Sequence, residues 1–169
     1  MTEDALPAWV AEARGKWTYN GTARPPFAIE PRPGQESVWD YPRPPAFVAD
    51  TRLVQVRAHD GAPIAETTTS IRVLETAQAP VFYVPPQAVV PGALVTARGT
   101  SFCEWKGDAE YVALAGADHP IGWRYPRPFP EFARWADWVA CYPGRVTCLV
   151  DGELARPMVG GFYGGWITA

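Results

Sequence analysis

A chain of 169 residues, 47% hydrophobic and 13% aromatic, can bury a single-domain core, which excludes disorder despite 19 prolines and 15 glycines. A net charge of -3 offers no general attraction to phosphate backbones or anionic lipid, so neither nucleic acid nor a membrane surface is an expected partner. Three cysteines, none in a C-x-x-C pair, signal neither a disulfide framework nor a zinc knuckle and read as reduced, mostly buried thiols.

The opening stretch "MTEDALPAWVAEARGKW" carries acids where a signal peptide needs bases. No apolar run approaches the length of a membrane-spanning helix, so a cytoplasmic location is expected. The same stretch predicts a short helix with Thr2 or Asp4 near its start, Pro7 in its first turn and Gly15 past its end. From Trp17 to Pro45, prolines at 25, 26, 31, 33, 42, 44 and 45 forbid a long helix and a central strand alike, leaving an extended arm. Its anchors, Trp17, Tyr19, Phe27, Trp39 and Tyr41, are expected to pack down on the core, since exposing them all is costly.

From Phe47 the rhythm becomes that of strands. "RLVQVRA", the turn "HDGA" and "PIAETTTSIRVL" read as a hairpin around Asp60-Gly61. "PVFYVP", "AVVPGALVTARG", "SFCEW" then "AEYVALAG", "IGWRYP", "WVACY" and "VTCLVDGE" continue the series, and "PEFARWADW" allows a short helix after Pro130. Short strands separated by glycine turns, without βαβ alternation, predict a mainly β protein built as an antiparallel barrel or two packed sheets. The expected organisation is a helix and Pro-rich arm over 1–50, a core over 51–155 and a Gly-rich tail over 156–169. "VGGFYGGW" in that tail lacks the strand-to-helix context of a phosphate loop.

"IAETTTSIRVLET", "PVFYVP", "SFCEWKGDAEYV", "IGWRYPRP" and "WVACYPGRVTCLVDGE" together resemble the uncharacterised bacterial and fungal family called domain of unknown function four-twenty-seven, from about Arg52 to Glu153. "ESVWDYPRPP" resembles the arm that precedes the domain in longer members. The resemblance implies a β-tent, in which two antiparallel sheets meet at one edge and splay apart, as in the thalidomide-binding domain of cereblon. Some β-tent relatives hold zinc through two C-x-x-C knuckles; this chain lacks them, so no metal and no cofactor are carried over. The family has also been labelled a nucleotidyltransferase. Metal-assisted phosphoryl transfer of that kind needs paired carboxylates, and neither D-x-D nor E-x-E occurs here.

One motif appears twice, as "WDYPRPP" from Trp39 and "WRYPRPFP" from Trp123. In an extended segment residues i and i+2 share a face, so Trp39 with Tyr41, and Trp123 with Tyr125, each present two rings on one side. They read either as core packing or as walls of a recess between the sheets, where a cationic ligand would gain cation–π attraction. Were the two copies neighbours, Asp40 would meet Arg124 across a seam. In "FCEWKGDAEY", alternation puts Cys103 with Trp105 on one face and Glu104 with Lys106 on the other, and Lys106 near Cys103 could favour a thiolate. A Cys/His enzyme would need His59 or His119 brought in by folding. In "SIRVLETAQAPVFYVP", Arg72 and Glu75 read as an ion pair holding a turn, or as groups that orient a ligand beside Tyr83.

The candidate ligand-binding set is therefore Trp39, Tyr41, Arg72, Glu75, Tyr83, Cys103, Lys106, Trp123 and Tyr125, with no catalytic or metal-ligating residue assigned. The function expected from it is binding of a small molecule by a monomer or weak homodimer. The alternatives are an enzyme using the same cleft and an interaction module docking through strips such as "RPPFAIEPRP".

Overall fold

The computed structural model describes residues 6–169. The helix is α1, Ala8–Gly15, capped by Pro7, and Gly15 is its last residue rather than the residue beyond it. Thr2 and Asp4 lie outside the described residues. No helix among the described residues is long and apolar enough to cross a membrane.

The strands run β1 Ala46–Asp50, β2 Val54–Arg57, β3 Pro63–Thr67, β4 Ser70–Leu74, β5 Val81–Val84, β6 Leu94–Cys103 and β7 Gly107–Leu114. They continue with β8 Pro120–Arg124, β9 Val139–Cys141, β10 Thr147–Val150, β11 Glu153–Leu154, β12 Arg156–Pro157 and β13 Trp166–Ile167. Every pairing is antiparallel. A seven-stranded sheet has the order β1-β4-β5-β9-β8-β7-β6, a four-stranded sheet the order β11-β10-β2-β3, and β12 pairs with β13. The protein is thus mainly β, its strands arranged in antiparallel sheets that do not close into a barrel.

The predicted hairpin forms between β2 and β3, with Asp60 Oδ1 accepting from the Ala62 amide at 2.9 Å and Gly61 at φ 91°. Its second strand is shorter than the sequence suggests. At Thr67 the hydroxyl oxygen accepts from the Thr69 amide at 3.0 Å, a local bond that competes with the ladder and ends β3. The chain then crosses to the large sheet as β4.

Period-two alternation gives the large sheet two different faces. On β5, Phe82 and Val84 point toward the small sheet, where they join Val54, Val56, Ile64, Cys148 and Val150 in a continuous apolar core. Each such side chain taken from water contributes roughly 1.5–3 kcal/mol. Tyr83, between them, points the other way into a second cluster with Ile71, Val73, Trp123, Tyr125, Phe132 and Ala140. Phe132 reaches that cluster from the 3-10 helix Pro130–Trp135, the short helix predicted after Pro130. β8 and β9 approach closely at Gly122, where a Cβ would lie 2.2 Å from the Ala140 carbonyl oxygen.

The last fourteen residues are more than a tail. Trp166 is 2% exposed, stacks on Phe82 with ring centroids 4.9 Å apart, and donates from Nε1 to the Cys141 carbonyl at 2.9 Å. The β12–β13 hairpin is therefore pinned into the main core, and residues 158–165 form its loop.

Candidate functional site

The second face of the large sheet is where side chains gather without a covering sheet. Trp123 on β8 donates from Nε1 to the Tyr83 hydroxyl at 3.0 Å, and the two rings meet edge to face at 6.2 Å. Tyr142, just past β9, packs on Trp123 at 4.7 Å, and Tyr125 meets Phe132 at 5.7 Å. A cleft of about 600 Å³ opens over this face, with Val73, Val81, Tyr83, Tyr111 and Trp123 in its floor. It lies on the side of the sheet away from the small sheet, not between the two sheets as the sequence reading had it, because Tyr83 and Trp123 alternate with the residues that build the inter-sheet core.

The cleft runs along β8. Arg145 marks its Pro120 end, donating from Nη1 to the Pro120 carbonyl at 2.8 Å, with its guanidinium 4.2 Å from the centre of the Tyr142 ring. Lys106 marks the Tyr125 end, its Nζ 5.7 Å from the centre of that ring, with Cys103 and Glu75 beside it in the lining. One wall is Trp17 of the N-terminal arm, whose ring has the Arg43 guanidinium over it at 3.8 Å and which donates from Nε1 to Glu104 at 3.2 Å. The other includes Gly160 to Gly164 of the C-terminal loop. A Cβ at Gly164 would come within 2.0 Å of the Trp123 ring, so only glycine lets the loop lie so close.

Burial sets the protonation at the Lys106 end. It pushes the Tyr83 phenol up to about 12, and it raises Tyr125 well above the ordinary tyrosine value, with help from Tyr83 and Cys103. Both stay protonated at neutral pH. For Lys106 burial, the largest single effect, works against the charge, but its neighbours, Cys103 and the Glu75 carboxylate among them, outweigh it and hold the lysine above its usual value. Lys106 is a charged donor that is only 6% exposed. Glu75 is held by Arg43 at 3.1 Å in a largely buried ion pair. This end of the cleft therefore presents hydrogen-bond donors and a positive charge over aromatic faces.

Glu75, Tyr83, Cys103, Lys106, Trp123 and Tyr125 thus come together around one cleft. Lys106 reaches it by a route that alternation misses. Its amide donates to the Cys103 carbonyl at 3.3 Å, closing a tight turn over Glu104 to Lys106 that returns the lysine to the cysteine's side. Trp105 turns away instead and sits under the Arg14 guanidinium of α1, 5.0 Å from its ring.

Trp39, Tyr41 and Arg72 do not join them. The first W-x-Y-P-R-P copy begins in a 3-10 helix, Val38–Asp40, so its two rings do not share a face. Trp39 packs within the arm, 5.6 Å from Tyr19 and 5.5 Å from Phe27, while Tyr41 is buried and donates to Glu36 at 2.6 Å. The second copy is extended through Arg124, and there the shared face holds. The expected seam is absent: Asp40 accepts from Arg24 at 2.7 Å, and Arg124 pairs with Glu110 at 3.4 Å. Arg72 lies on the sheet face opposite its neighbour Val73, pairing with Glu36 at 2.8 Å and Asp50 at 3.2 Å rather than with Glu75. Packing of the arm is uneven, since Trp17 is 46% and Phe27 71% exposed.

Sequence reasoning missed Tyr111, Tyr142, Arg145 and the Gly160 to Gly164 loop, all of which line the cleft. Period two places Tyr111 opposite Trp123 once the β7–β8 register is known, but nothing local signals that register. Neither His59 nor His119 is among the lining residues. Among the described residues no group of three or more His, Cys, Asp or Glu side chains is placed to hold a metal ion.

Residues 46–152 match the family described as Domain of unknown function (DUF427), and the chain belongs to that family. No curated protein matches the chain.

Proposed function

We propose that this protein binds a small organic molecule in the cleft on the open face of its large sheet. The observation that carries the reading is a cavity of about 600 Å³ floored by Tyr83, Tyr111 and Trp123, with a few polar groups at its ends. That size and that mixture are those of small-molecule sites, where aromatic surface supplies affinity and a few placed donors fix orientation. The Trp123–Tyr83 hydrogen bond holds the central rings in one arrangement, so little ordering remains to be done when a ligand arrives.

The test is a fragment screen read by the indole N–H signal of Trp123 in NMR spectra of labelled protein. Fragments are expected that shift this signal in the parent protein and lose their effect in Ser101→Trp, which fills the cleft from a lining position. A screen in which no fragment moves the Trp123 signal at millimolar concentration, or in which Ser101→Trp leaves binding intact, overturns the reading.

A further inference from the structure

The Lys106 end of the cleft narrows the class of ligand. We infer that the ligand is an organic monoanion, a planar or apolar body bearing one carboxylate, and that the carboxylate sits on the Lys106 ammonium. The inference rests on the cleft being a ligand site and specifies its chemistry.

The starting point is an ammonium that is short of partners. Lys106 is 6% exposed and lines the cleft, yet among the described residues no carboxylate lies within ion-pair distance of it. The carboxylate whose field reaches it, Glu75, is engaged by Arg43, which also donates to the Thr76 carbonyl. Its polar neighbour Cys103 offers a sulfur, a weak acceptor for a group with three N–H donors. A charge on so buried a side chain is costly unless an anion or water completes the ammonium's shell, and the open side of that shell is the cleft.

The surroundings choose among ligands. A cationic ligand, which aromatic rings alone would favour, meets a like charge here instead of a free carboxylate. A phosphate monoester wants several convergent donors or a guanidinium fork, whereas this end has a point charge, and Arg145 stands at the far end of β8 bound to Pro120. A carboxylate suits one ammonium and the neighbouring tyrosine hydroxyls, while the attached ring system lies along Trp123 toward Tyr142.

The experiment uses three matched probes, 2-naphthylacetate, 2-naphthylacetamide and 2-(2-naphthyl)ethylamine, titrated at neutral pH against the full chain and followed by ligand NMR. The acetate is expected to bind on the order of ten- to a hundredfold more tightly than the amide, with the amine weakest. Lys106→Met should reduce acetate binding to the level of the amide while amide binding persists, which shows the cleft is still formed. Lys106→Arg, which keeps the charge, should retain the preference. Equal binding of acetate and amide by the parent protein overturns the inference, as does a preference that survives Lys106→Met. In both cases fragment hits at Trp123 would leave the cleft reading standing. Failure of all three probes beside cleft-directed fragment hits likewise refutes the monoanion alone, and failure of probes and fragments together refutes both.

Discussion

Replacing Trp166 tests whether the C-terminal hairpin is part of the core. Its ring is 2% exposed, stacked on Phe82 at an interplanar angle of 26°, and its Nε1 is the donor to the Cys141 carbonyl. Trp166→Ala empties that space and orphans the carbonyl, for an expected loss of about 3–5 kcal/mol. Trp166→Phe keeps a ring against Phe82 and removes only the N–H, so the loss should be about 1–3 kcal/mol. At this chain length each kcal/mol corresponds to roughly 2–4 °C, so the alanine variant should melt roughly 6–20 °C lower. Urea unfolding followed by far-ultraviolet circular dichroism gives the free energies, and thermal melts give an independent ranking. An alanine variant within about 1 kcal/mol of the parent would refute the reasoning, because about 1 kcal/mol is the scale of an average substitution rather than of an emptied core site. So would a phenylalanine variant as damaged as the alanine one, since that ordering has no source in lost ring contacts.

Arg43→Met should cost about 3–5 kcal/mol, because it leaves Glu75 buried without its counter-charge; urea unfolding checks this, and a loss under about 1 kcal/mol would refute it. Stability should also fall in acid. Arg72 holds Glu36 below the ordinary carboxylate range, and at Asp50 desolvation, the largest single effect, is outweighed by the Arg52 hydrogen bonds together with the Arg52 and Arg72 charges, so its pKa too is lowered. For carboxylates lowered in this way the stabilisation is present above the unfolded-state pKa of about 4 and is lost as pH falls through the lower folded values. Melting temperatures measured from about pH 6 to about pH 3 should therefore drop, and Arg72→Met should flatten the drop; parallel curves for the two proteins would refute the assignment.

What could be read from the sequence depended on how far each segment kept a regular period. Asp60-Gly61 announced its hairpin because that turn needs a positive φ, and the extended second W-x-Y-P-R-P copy put Trp123 and Tyr125 on one face as alternation requires. The first copy failed because a 3-10 turn does not alternate, and Lys106 was placed on the wrong side because a tight turn carried it back. Which sheet a strand joins has no local signal, so the face carrying the cleft could not be chosen before pairing was known. Trp166 was hidden for a related reason: β13 spans two residues, Trp166–Ile167, too short to show periodicity behind a run of glycines.

The family match covers 46–152, whereas Trp17 and Gly160 to Gly164 lie outside it. A protein sharing only the matched span would inherit the same ring-lined platform under a different rim. Under the binding proposed above, exchange of the rim would change what the cleft admits, provided that the new C-terminal segment still fills the core position of Trp166.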